Sequence, residues 1–310
     1  MSSDGEHERP AYPRVGLGSA PIGDLYGKVP ETQAIETIHA ALQSGMSLID
    51  TAPWYGLGLA EERVGLALRS VPRNTYQIST KVGRVLENGT AHFDFSRDGI
   101  LRAFEASLDR LGVERLDVGL IHDPDDHVAQ ALDEALPTLI NLKSQGLVGA
   151  VGVGMNDSAA MPRFINEGCD TVLLAGRYTL IEQGALNFLN FAAQRSIPVL
   201  LGGVFNSGVL ATGPKADAKY NYIPASPEVL EKARLLARLC SRYEVPLPAV
   251  AMQFCVTHPA VATLVVGCAS PSEVRANARN INTHIPEELW IALKEQALID
   301  PASCTPGLII

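Results

Sequence analysis

The sequence predicts an α/β protein, a (β/α)8 barrel of the TIM type that forms a single domain. Two observations support this fold class. Eight short apolar runs rich in Val, Ile and Leu alternate with amphipathic stretches of helical periodicity, from residue 14 to about residue 281. Runs without polar alternation are typical of parallel strands covered on both faces, and eight strand-helix units close a barrel. The predicted strands are 14–18, 46–52, 75–82, 116–123, 148–154, 171–176, 197–203 and 262–268.

The main alternative is an open doubly wound sheet. Such a sheet usually carries a glycine-rich fingerprint after its first strand. The nearest candidate, Gly16 to Pro21, lacks the third glycine and has a proline where a helix should begin. The barrel is therefore favoured.

Local signals place helices and one unusual loop between the strands. One helix is predicted to begin at Ser96 and to end at Gly112, which are favoured N-cap and C-cap residues. Pro137 should kink a second helix or displace its start. Residues 204–226 are too long and too rich in Gly, Pro and Asn for an ordinary connection. Because they follow a strand end, they either fold over a ligand at the catalytic face or form a plain surface excursion.

Composition excludes several classes of protein. The formal charge of 25 − 34 = −9 and the lack of a Lys/Arg block argue against nucleic acid as a partner. Residues 1–13 are predicted to form a flexible polar leader ahead of a barrel at 14–310. No signal-peptide core and no run of membrane-spanning length is found, so a cytoplasmic protein without a membrane partner is expected. The sequence is compatible with a homo-oligomer.

Four ionisable residues follow apolar runs that are predicted strands. Asp50 and Tyr55 come from one segment, and Lys81 and His122 come from two others. Parallel strands deliver their carboxyl ends to the same face of a barrel, so these side chains are expected to converge. The segments are SLIDTAPWYG at 47–56, QISTKVGR at 77–84 and VGLIHDPDD at 118–126.

This set is suited to moving a proton beside a hydride. A phenol with an ordinary pKa near ~10 needs help to exchange a proton near neutral pH. The Lys81 ammonium would favour the phenolate of Tyr55, and the Asp50 carboxylate would hold that ammonium. His122 could donate a hydrogen bond to the substrate oxygen on which charge develops. Each residue alone has a structural explanation, so the prediction depends on the set.

The four residues resemble the Asp, Tyr, Lys and His tetrad of the aldo-keto reductase superfamily, in its order and at comparable spacing. Three longer strings resemble its sugar-dehydrogenase branch, which includes L-fucose dehydrogenase, D-threo-aldose 1-dehydrogenase and pyridoxal 4-dehydrogenase. The resemblance implies a nicotinamide cofactor bound without a Rossmann domain, and Tyr55 as the general acid or base. The strings are VGVGMND at 151–157, LLAGRYTLIEQGAL at 173–186 and GGVFNSGVLATG at 202–213.

The resemblance also implies binding residues. Where many members have Ser-Asn, this chain has Met155-Asn156, and Phe205 is the nearest ring for stacking on nicotinamide, although a core role fits it equally. The substrate contacts are expected from Tyr26, Trp54 and Phe205. The cofactor contacts are expected from Asn156, Gly203, Phe205, Ser207, Gly267, Ser270, Glu273 and Asn277.

NAD is expected rather than NADP. Phosphate-selective members of the family carry a cation where this chain has Gly267 and an arginine where it has Glu273. A 2′-phosphate needs a cationic fork, whereas a carboxylate repels it. An inward turn of Arg275 or Arg279 would weaken this expectation.

The predicted reaction is oxidation of the anomeric carbon of an aldose to a lactone, with hydride transfer to NAD. The expected sugars are of the L-fucose, L-galactose or D-arabinose type. One alternative keeps the tetrad and makes the substrate pyridoxal or an aromatic aldehyde. Another, from a different class, is a cofactor-sensing binding subunit without turnover.

No metal is expected. The five cysteines are odd in number and contain no CxxC pair, so neither a zinc site nor a disulfide framework is indicated. Residues 122–127 collect ligand-type side chains. Asp123, Asp125 and Asp126 are better explained as turn and N-cap residues before a helix that begins near Val128.

Overall fold

The computed structural model describes residues 11–87, 89–215, 217–221 and 223–306. Eight parallel strands form a closed barrel in the order β1-β12-β9-β8-β7-β6-β3-β2, which confirms the predicted (β/α)8 fold. Each of the eight apolar runs overlaps one of these strands, with β7 and β12 each extending one residue beyond the predicted run. The strands in the described residues are β1 (Val15–Gly18), β2 (Leu48–Asp50), β3 (Gln77–Val82), β4 (Arg84–Glu87), β5 (Thr90–Phe93), β6 (Leu116–His122), β7 (Val148–Met155), β8 (Thr171–Ala175), β9 (Val199–Gly202), β10 (Lys219–Tyr220), β11 (Ile223–Pro224) and β12 (Val261–Gly267).

Helices cover the outside of the barrel. Ser96 caps its helix by accepting a hydrogen bond from the Gly99 N–H, and Gly112 ends that helix with φ of +66°, as predicted. The helices are α1 (Glu31–Gln43), α2 (Leu59–Leu68), α3 (Arg97–Leu111), α4 (Val128–Gln130), α5 (Leu136–Ser144), α6 (Met161–Asn166), α7 (Leu186–Gln194), α8 (Val209–Thr212), α9 (Pro227–Arg242), α10 (Leu247–Val256), α11 (Pro271–Asn280) and α12 (Glu287–Glu295).

Pro137 displaces the start of its helix, as the sequence predicts. It is the second residue of α5, and a π-helical turn at Ala131–Ala135 joins α4 to α5. Proline has no N–H to donate to the preceding turn, so a regular α-helix cannot run through this position unchanged.

Two hairpins extend from the barrel at the carboxyl ends of its strands. β4 and β5 pair directly after β3. β10 and β11 pair within the long 204–226 segment, which also contains α8. In that segment the Tyr220 hydroxyl donates to Glu182, which ties the second hairpin to the loop after β8.

The core has two layers. A large cluster fills the space between strands and helices, and a smaller one fills the inside of the barrel. Tyr12 packs against the inner cluster, so contact with the barrel begins before residue 14, within the segment predicted as a leader. Residues 1–10 of that leader lie outside the described residues. Among the helices that the structure describes, none has both the length and the apolar character needed to cross a membrane. The inner cluster consists of Leu48, Val118, Leu120, Ala150, Leu173, Leu200 and Val265.

Candidate active site

The carboxyl ends of three neighbouring barrel strands carry three of the four predicted catalytic residues. Asp50 is the last residue of β2, Lys81 the second-last of β3, and His122 the last of β6. These strands are adjacent, because β2 pairs with β3 and β3 pairs with β6. Tyr55 reaches the same place from the loop after β2. The structure therefore brings together all four residues of the predicted set.

Lys81 is the centre of a buried hydrogen-bond network. Its Nζ donates to Asp50 Oδ2 at 2.7 Å, to the Thr51 carbonyl oxygen at 2.8 Å and to Tyr55 Oη at 3.2 Å. Asp50 Oδ1 accepts from Ser79 Oγ at 2.9 Å, so both carboxylate oxygens are held. Burial alone would lower the pKa of Lys81, but the Asp50 carboxylate and the contact with Tyr55 raise it above its usual value. The charged ammonium of Lys81 is thus held in contact with the phenol of Tyr55.

The loop that carries Tyr55 depends on two glycines. Gly56 has φ of +67°, and a Cβ there would lie 2.1 Å from the carbonyl oxygen of Gly23. A Cβ on Gly23 would lie 2.8 Å from the carbonyl oxygen of Tyr55. The two backbone segments touch, and only glycine at both positions permits this approach. The contact fixes the position from which the Tyr55 side chain reaches Lys81.

His122 lies against the edge of the Tyr55 ring. The ring centroids are 6.2 Å apart and the planes meet at 87°. Burial, together with the positive charges of Lys81 and Arg84, lowers the pKa of His122 well below its usual value. Its Nδ1 is buried without a hydrogen-bond partner in the described part of the chain, whereas Nε2 lies 3.5 Å from Asp123 Oδ2. The proton of the neutral ring is therefore better placed on Nε2, which can donate it to an acceptor.

Small residues lie at the ends of β9 and β12, on another part of the barrel rim. Gly203 follows β9 with φ of +66°, and Gly267 is the last residue of β12; both are exposed. Ser207 is exposed in the same turn as Gly203, with φ of +56°. Phe205 is half-buried and packs against the large core cluster. Core packing therefore accounts for part of the Phe205 surface.

The start of α11 carries a reciprocal cap. Ser270 Oγ accepts from the Glu273 N–H at 3.3 Å, and Glu273 Oε2 accepts from the Ala269 N–H at 2.8 Å. The arrangement resembles a capping box shifted by one residue. It fixes a carboxylate at the exposed amino end of the helix.

The two asparagines among the predicted cofactor contacts lie in different surroundings. Asn156 directly follows β7 and is exposed. Asn277 is buried, and its Nδ2 donates to Cys268 Sγ at 3.3 Å. Asn156 is accessible to a ligand, whereas the amide nitrogen of Asn277 already has a partner within the protein.

Two of the predicted substrate contacts are large exposed side chains at the rim. Trp54 is 38% exposed, and the Arg84 guanidinium lies 4.9 Å from the centroid of its ring. Tyr26 is 59% exposed and lies between β1 and α1. Within the residues that the structure describes, no three His, Cys, Asp or Glu side chains are grouped so that they could hold a metal ion.

A comparison with protein-family models matches residues 14–297 to the aldo/keto reductase family. The match covers nearly the whole barrel. The chain belongs to this family. The resemblance seen in the tetrad and in the three longer strings is thereby confirmed.

Similar members of the family include two bacterial dehydrogenases. The chain is 35% identical to D-threo-aldose 1-dehydrogenase of Pseudomonas sp over 93% of this chain and 95% of that protein. It is 34% identical to pyridoxal 4-dehydrogenase of Microbacterium luteolum over 92% and 94%. A solved aldo-keto reductase from Bacillus halodurans has the same fold, with a TM-score of 0.78 at 23% identity and 93% coverage of both chains. The protein is therefore an oxidoreductase, and enzymes of this family use nicotinamide cofactors.

Two polar residues at the site of this aldo/keto reductase, Arg84 and Asp123, were not among the site residues predicted from the sequence. Arg84 NH2 donates to Asp123 Oδ2 at 2.6 Å, directly beside His122. The helix predicted to begin near Val128 does begin at that residue. The prediction that Asp123, Asp125 and Asp126 act as its N-caps is wrong, because no side chain makes a capping bond at the helical turns that begin after 124 and 127. Asp123 is instead an ion-pair partner.

A sequence signal for the position of Arg84 was available. Asn88 and Gly89 lie between the β4 and β5 segments in the sequence, and Asn-Gly between two short runs is a strong hairpin signal. It predicts that Arg84, three residues after Lys81, begins a hairpin at the catalytic face.

Proposed function

We propose that this protein is an NAD-preferring dehydrogenase that oxidises the anomeric carbon of an aldose to a lactone. The observation that carries the proposal is the contact of 3.2 Å between Lys81 Nζ and Tyr55 Oη, with Lys81 held by Asp50 at 2.7 Å. This is a phenol placed next to a fixed positive charge in a buried site. Such a group can take a proton from an alcohol while the neighbouring carbon loses a hydride.

The roles of the four residues follow from their contacts. The Lys81 ammonium favours the phenolate form of Tyr55, so Tyr55 Oη accepts the proton of the anomeric hydroxyl. The Asp50 carboxylate keeps Lys81 charged and in place. Neutral His122 donates from Nε2 to the same substrate oxygen and orients it. When NAD is bound, C4 of its nicotinamide supplies the hydride acceptor.

The residues present fit a dinucleotide on the rim of the barrel. A Cβ at Gly202, which is buried at the end of β9, would meet its nearest heavy atoms at 3.7 Å and would clash with none of them, so the missing side chain leaves room beside the strand. Gly203 and Gly267 expose their backbone on the same rim. Asn156 would contact the carboxamide. Of the first turn of α11, the exposed Ser272 would offer its N–H to a phosphate oxygen, because Pro271 has no N–H and the Glu273 and Val274 N–H groups already donate to Ser270.

Two features support NAD over NADP. Glu273 holds a negative charge at the start of α11, where a 2′-phosphate would meet repulsion. A side chain at Gly267 would place its Cβ 3.0 Å from Pro21 Cγ, so a cation at this position would require Pro21 to move. Arg275 and Arg279 are both exposed on the surface of α11.

The relatives support the class of substrate. The relative at 35% identity acts on an aldose, as its name states, and carries the proposal for a sugar. The relative at 34% identity favours pyridoxal as a second candidate, and the exposed ring of Trp54 would suit its flat ring. Both candidates use the same tetrad.

A cofactor-reduction screen tests the proposal. We expect the purified protein to reduce NAD faster than NADP with at least one of L-fucose, L-galactose, D-galactose and D-arabinose, and to be slower with pyridoxal. The product should be a lactone that hydrolyses to the aldonic acid. Faster turnover of pyridoxal than of every sugar would select the second candidate, and a preference for NADP would contradict the choice of cofactor.

A further inference from the structure

We propose that Asp123, held by Arg84, recognises the hydroxyl on the carbon next to the reacting carbon, so that the enzyme selects neutral 2-hydroxy aldoses. The inference rests on the proposed function and adds a specificity-determining residue to it. Asp123 would touch the substrate, and Arg84 would position Asp123.

The first observation is the place of the Asp123 carboxylate. Asp123 immediately follows His122, and its Oδ2 lies 3.5 Å from His122 Nε2. Its backbone has φ of +43°, a left-handed conformation that is strained for a residue other than glycine. Its N–H donates to the Gly154 carbonyl oxygen at 2.9 Å, which holds this conformation at the end of β6. With the backbone held in this way, the carboxylate faces the His122 ring.

The second observation is the support that holds the carboxylate. Arg84 NH2 donates to Asp123 Oδ2 at 2.6 Å. The guanidinium lies 4.9 Å from the centroid of the Trp54 ring and 4.7 Å from that of Phe93. Two aromatic faces and one charged hydrogen bond thus fix the pair. Asp123 Oδ1 has no hydrogen-bond partner in the described residues, and the side chain is 30% exposed.

These positions match the geometry of a vicinal diol. In the proposed reaction, His122 Nε2 contacts the oxygen on the anomeric carbon. Hydroxyls on adjacent carbons of a sugar lie about one hydrogen-bond length apart. The hydroxyl on carbon 2 would therefore lie within reach of the Asp123 carboxylate, which can only accept a hydrogen bond when ionised.

The balance of charges around His122 supports a neutral substrate. Lys81 is paired with Asp50, Arg84 is paired with Asp123, and the His122 imidazole is neutral. Because both are paired, neither Lys81 nor Arg84 is available to bind a phosphate or carboxylate of a substrate. An anionic substrate would meet the Asp123 carboxylate, whereas a polyhydroxyl compound finds an acceptor there.

The test combines a change in the residue with a change in the substrate. The aldose of the screen that is oxidised fastest is compared with its 2-deoxy counterpart, in wild type and in Asp123→Asn. We expect the variant to lose roughly 10- to 100-fold in kcat/KM for the parent sugar, because a charge-assisted hydrogen bond is weakened. For the 2-deoxy sugar the loss should stay within about threefold. Asp126→Asn, an exposed aspartate of the same loop, should change neither value.

Equal losses with both sugars in Asp123→Asn would overturn the inference. NAD binding, followed by protein fluorescence, should be unchanged in this variant and shows that the barrel is folded. If wild type oxidises the 2-deoxy sugar as well as the parent, the inference also fails, although the proposed function stands. If wild type oxidises no aldose, the proposed function itself fails.

A second variant tests the positioning role of Arg84. Arg84→Gln should show the same selective loss and should also raise the pH below which kcat/KM for the parent sugar falls. Burial raises the pKa of Asp123 and Asp125 adds to this, while Arg84 and Lys81 oppose it; His122, which also faces Asp123, is neutral. Removing Arg84 therefore lets Asp123 take up a proton at a higher pH. An unchanged pH profile would contradict the role of Arg84.

Discussion

At the scale of single residues, the function of each catalytic side chain depends on the charge of its neighbour. Tyr55 needs a positive charge nearby, and Lys81 supplies it at 3.2 Å. Lys81 is 2% exposed and stays charged because Asp50 lies 2.7 Å away. Removing Asp50 or Lys81 leaves an uncompensated buried charge as well as a missing part of the site. Tyr55→Phe is the least disruptive change, because it removes one hydroxyl and no charged partner.

We therefore predict that Tyr55→Phe lowers kcat by roughly 10²- to 10⁴-fold, the usual contribution of one acid-base group. NAD affinity should remain within about twofold of wild type, since the ring and its contact with His122 are kept. The measurements are initial rates with the best aldose and a fluorescence titration with NAD. Tyr243→Phe, at the carboxyl end of α9, is the matched control and should be active. Turnover near the wild-type rate in Tyr55→Phe would contradict the mechanism.

Three members of the tetrad were predictable from sequence because they occupy strand ends, and Tyr55 follows one of these ends by five residues. A parallel barrel brings every strand end to one face, so Asp50, Lys81 and His122 converge whatever the details of the loops. The pair of Arg84 and Asp123 depends on those details. It requires the β4–β5 hairpin to fold back and Asp123 to adopt φ of +43°, and neither follows from the periodicity of the apolar residues.

At the scale of elements, the start of α11 combines a structural and a binding role. Glu273 stabilises the helix by accepting from the Ala269 N–H at 2.8 Å. The same carboxylate would oppose a 2′-phosphate. A glutamine can keep the hydrogen bond through its amide oxygen and lose the charge, so the two roles can be separated.

We predict that Glu273→Gln lowers the ratio of kcat/KM for NAD to kcat/KM for NADP by roughly tenfold. This is about the effect expected when one like charge is removed from contact distance near a protein surface. Thermal stability should change little, because the cap is kept. The measurement is kcat/KM for both cofactors at low ionic strength, where surface charges are least screened. Glu287→Gln, in the first turn of α12, is a control that should leave the ratio unchanged. A ratio that stays the same in Glu273→Gln would show that this carboxylate does not select the cofactor.

The elements themselves were predictable to different degrees. α3 has both of its caps at the predicted residues, and Pro137 displaces α5 as expected, because these signals act within a few residues. The two hairpins were not predicted. Their strands are short and largely exposed, so they lack the apolar runs from which the barrel strands were recognised.

At the scale of the whole molecule, burial of ionisable groups couples the fold to pH. His258 is 1% exposed and packs edge-on against Tyr178, with ring centroids 5.6 Å apart. The Ala260 N–H donates to His258 Nδ1 at 3.2 Å, and His258 Nε2 lies 3.2 Å from Asn190 Oδ1. An N–H can only donate, so Nδ1 must be unprotonated and Nε2 must carry the proton. A second proton on Nδ1 would break this contact, and burial lowers the pKa of His258 from 6.5 to about 4.

The stability of the protein should consequently fall as pH drops from 6.5 towards 4. In this interval the unfolded chain binds a proton at this histidine and the folded chain does not, which favours unfolding. Above pH 6.5 both forms are neutral and the effect vanishes. Protonation of this one histidine in the unfolded chain lowers the free energy of unfolding by up to about 1.4 kcal/mol per pH unit. The total reaches about 3 kcal/mol at pH 4.

The variant His258→Asn tests this coupling, because Asn can accept from the Ala260 N–H but does not titrate. We predict a lower free energy of unfolding than wild type at pH 7.5, owing to the lost ring, but a shallower decline between pH 6.5 and 4.5. Urea unfolding at constant ionic strength measures both. His284→Asn, at an exposed position, should decline as steeply as wild type. The remaining decline in His258→Asn should include the part due to His122, whose pKa is lowered by burial in the same direction. A decline in His258→Asn as steep as that of wild type would place the acid sensitivity elsewhere in the barrel.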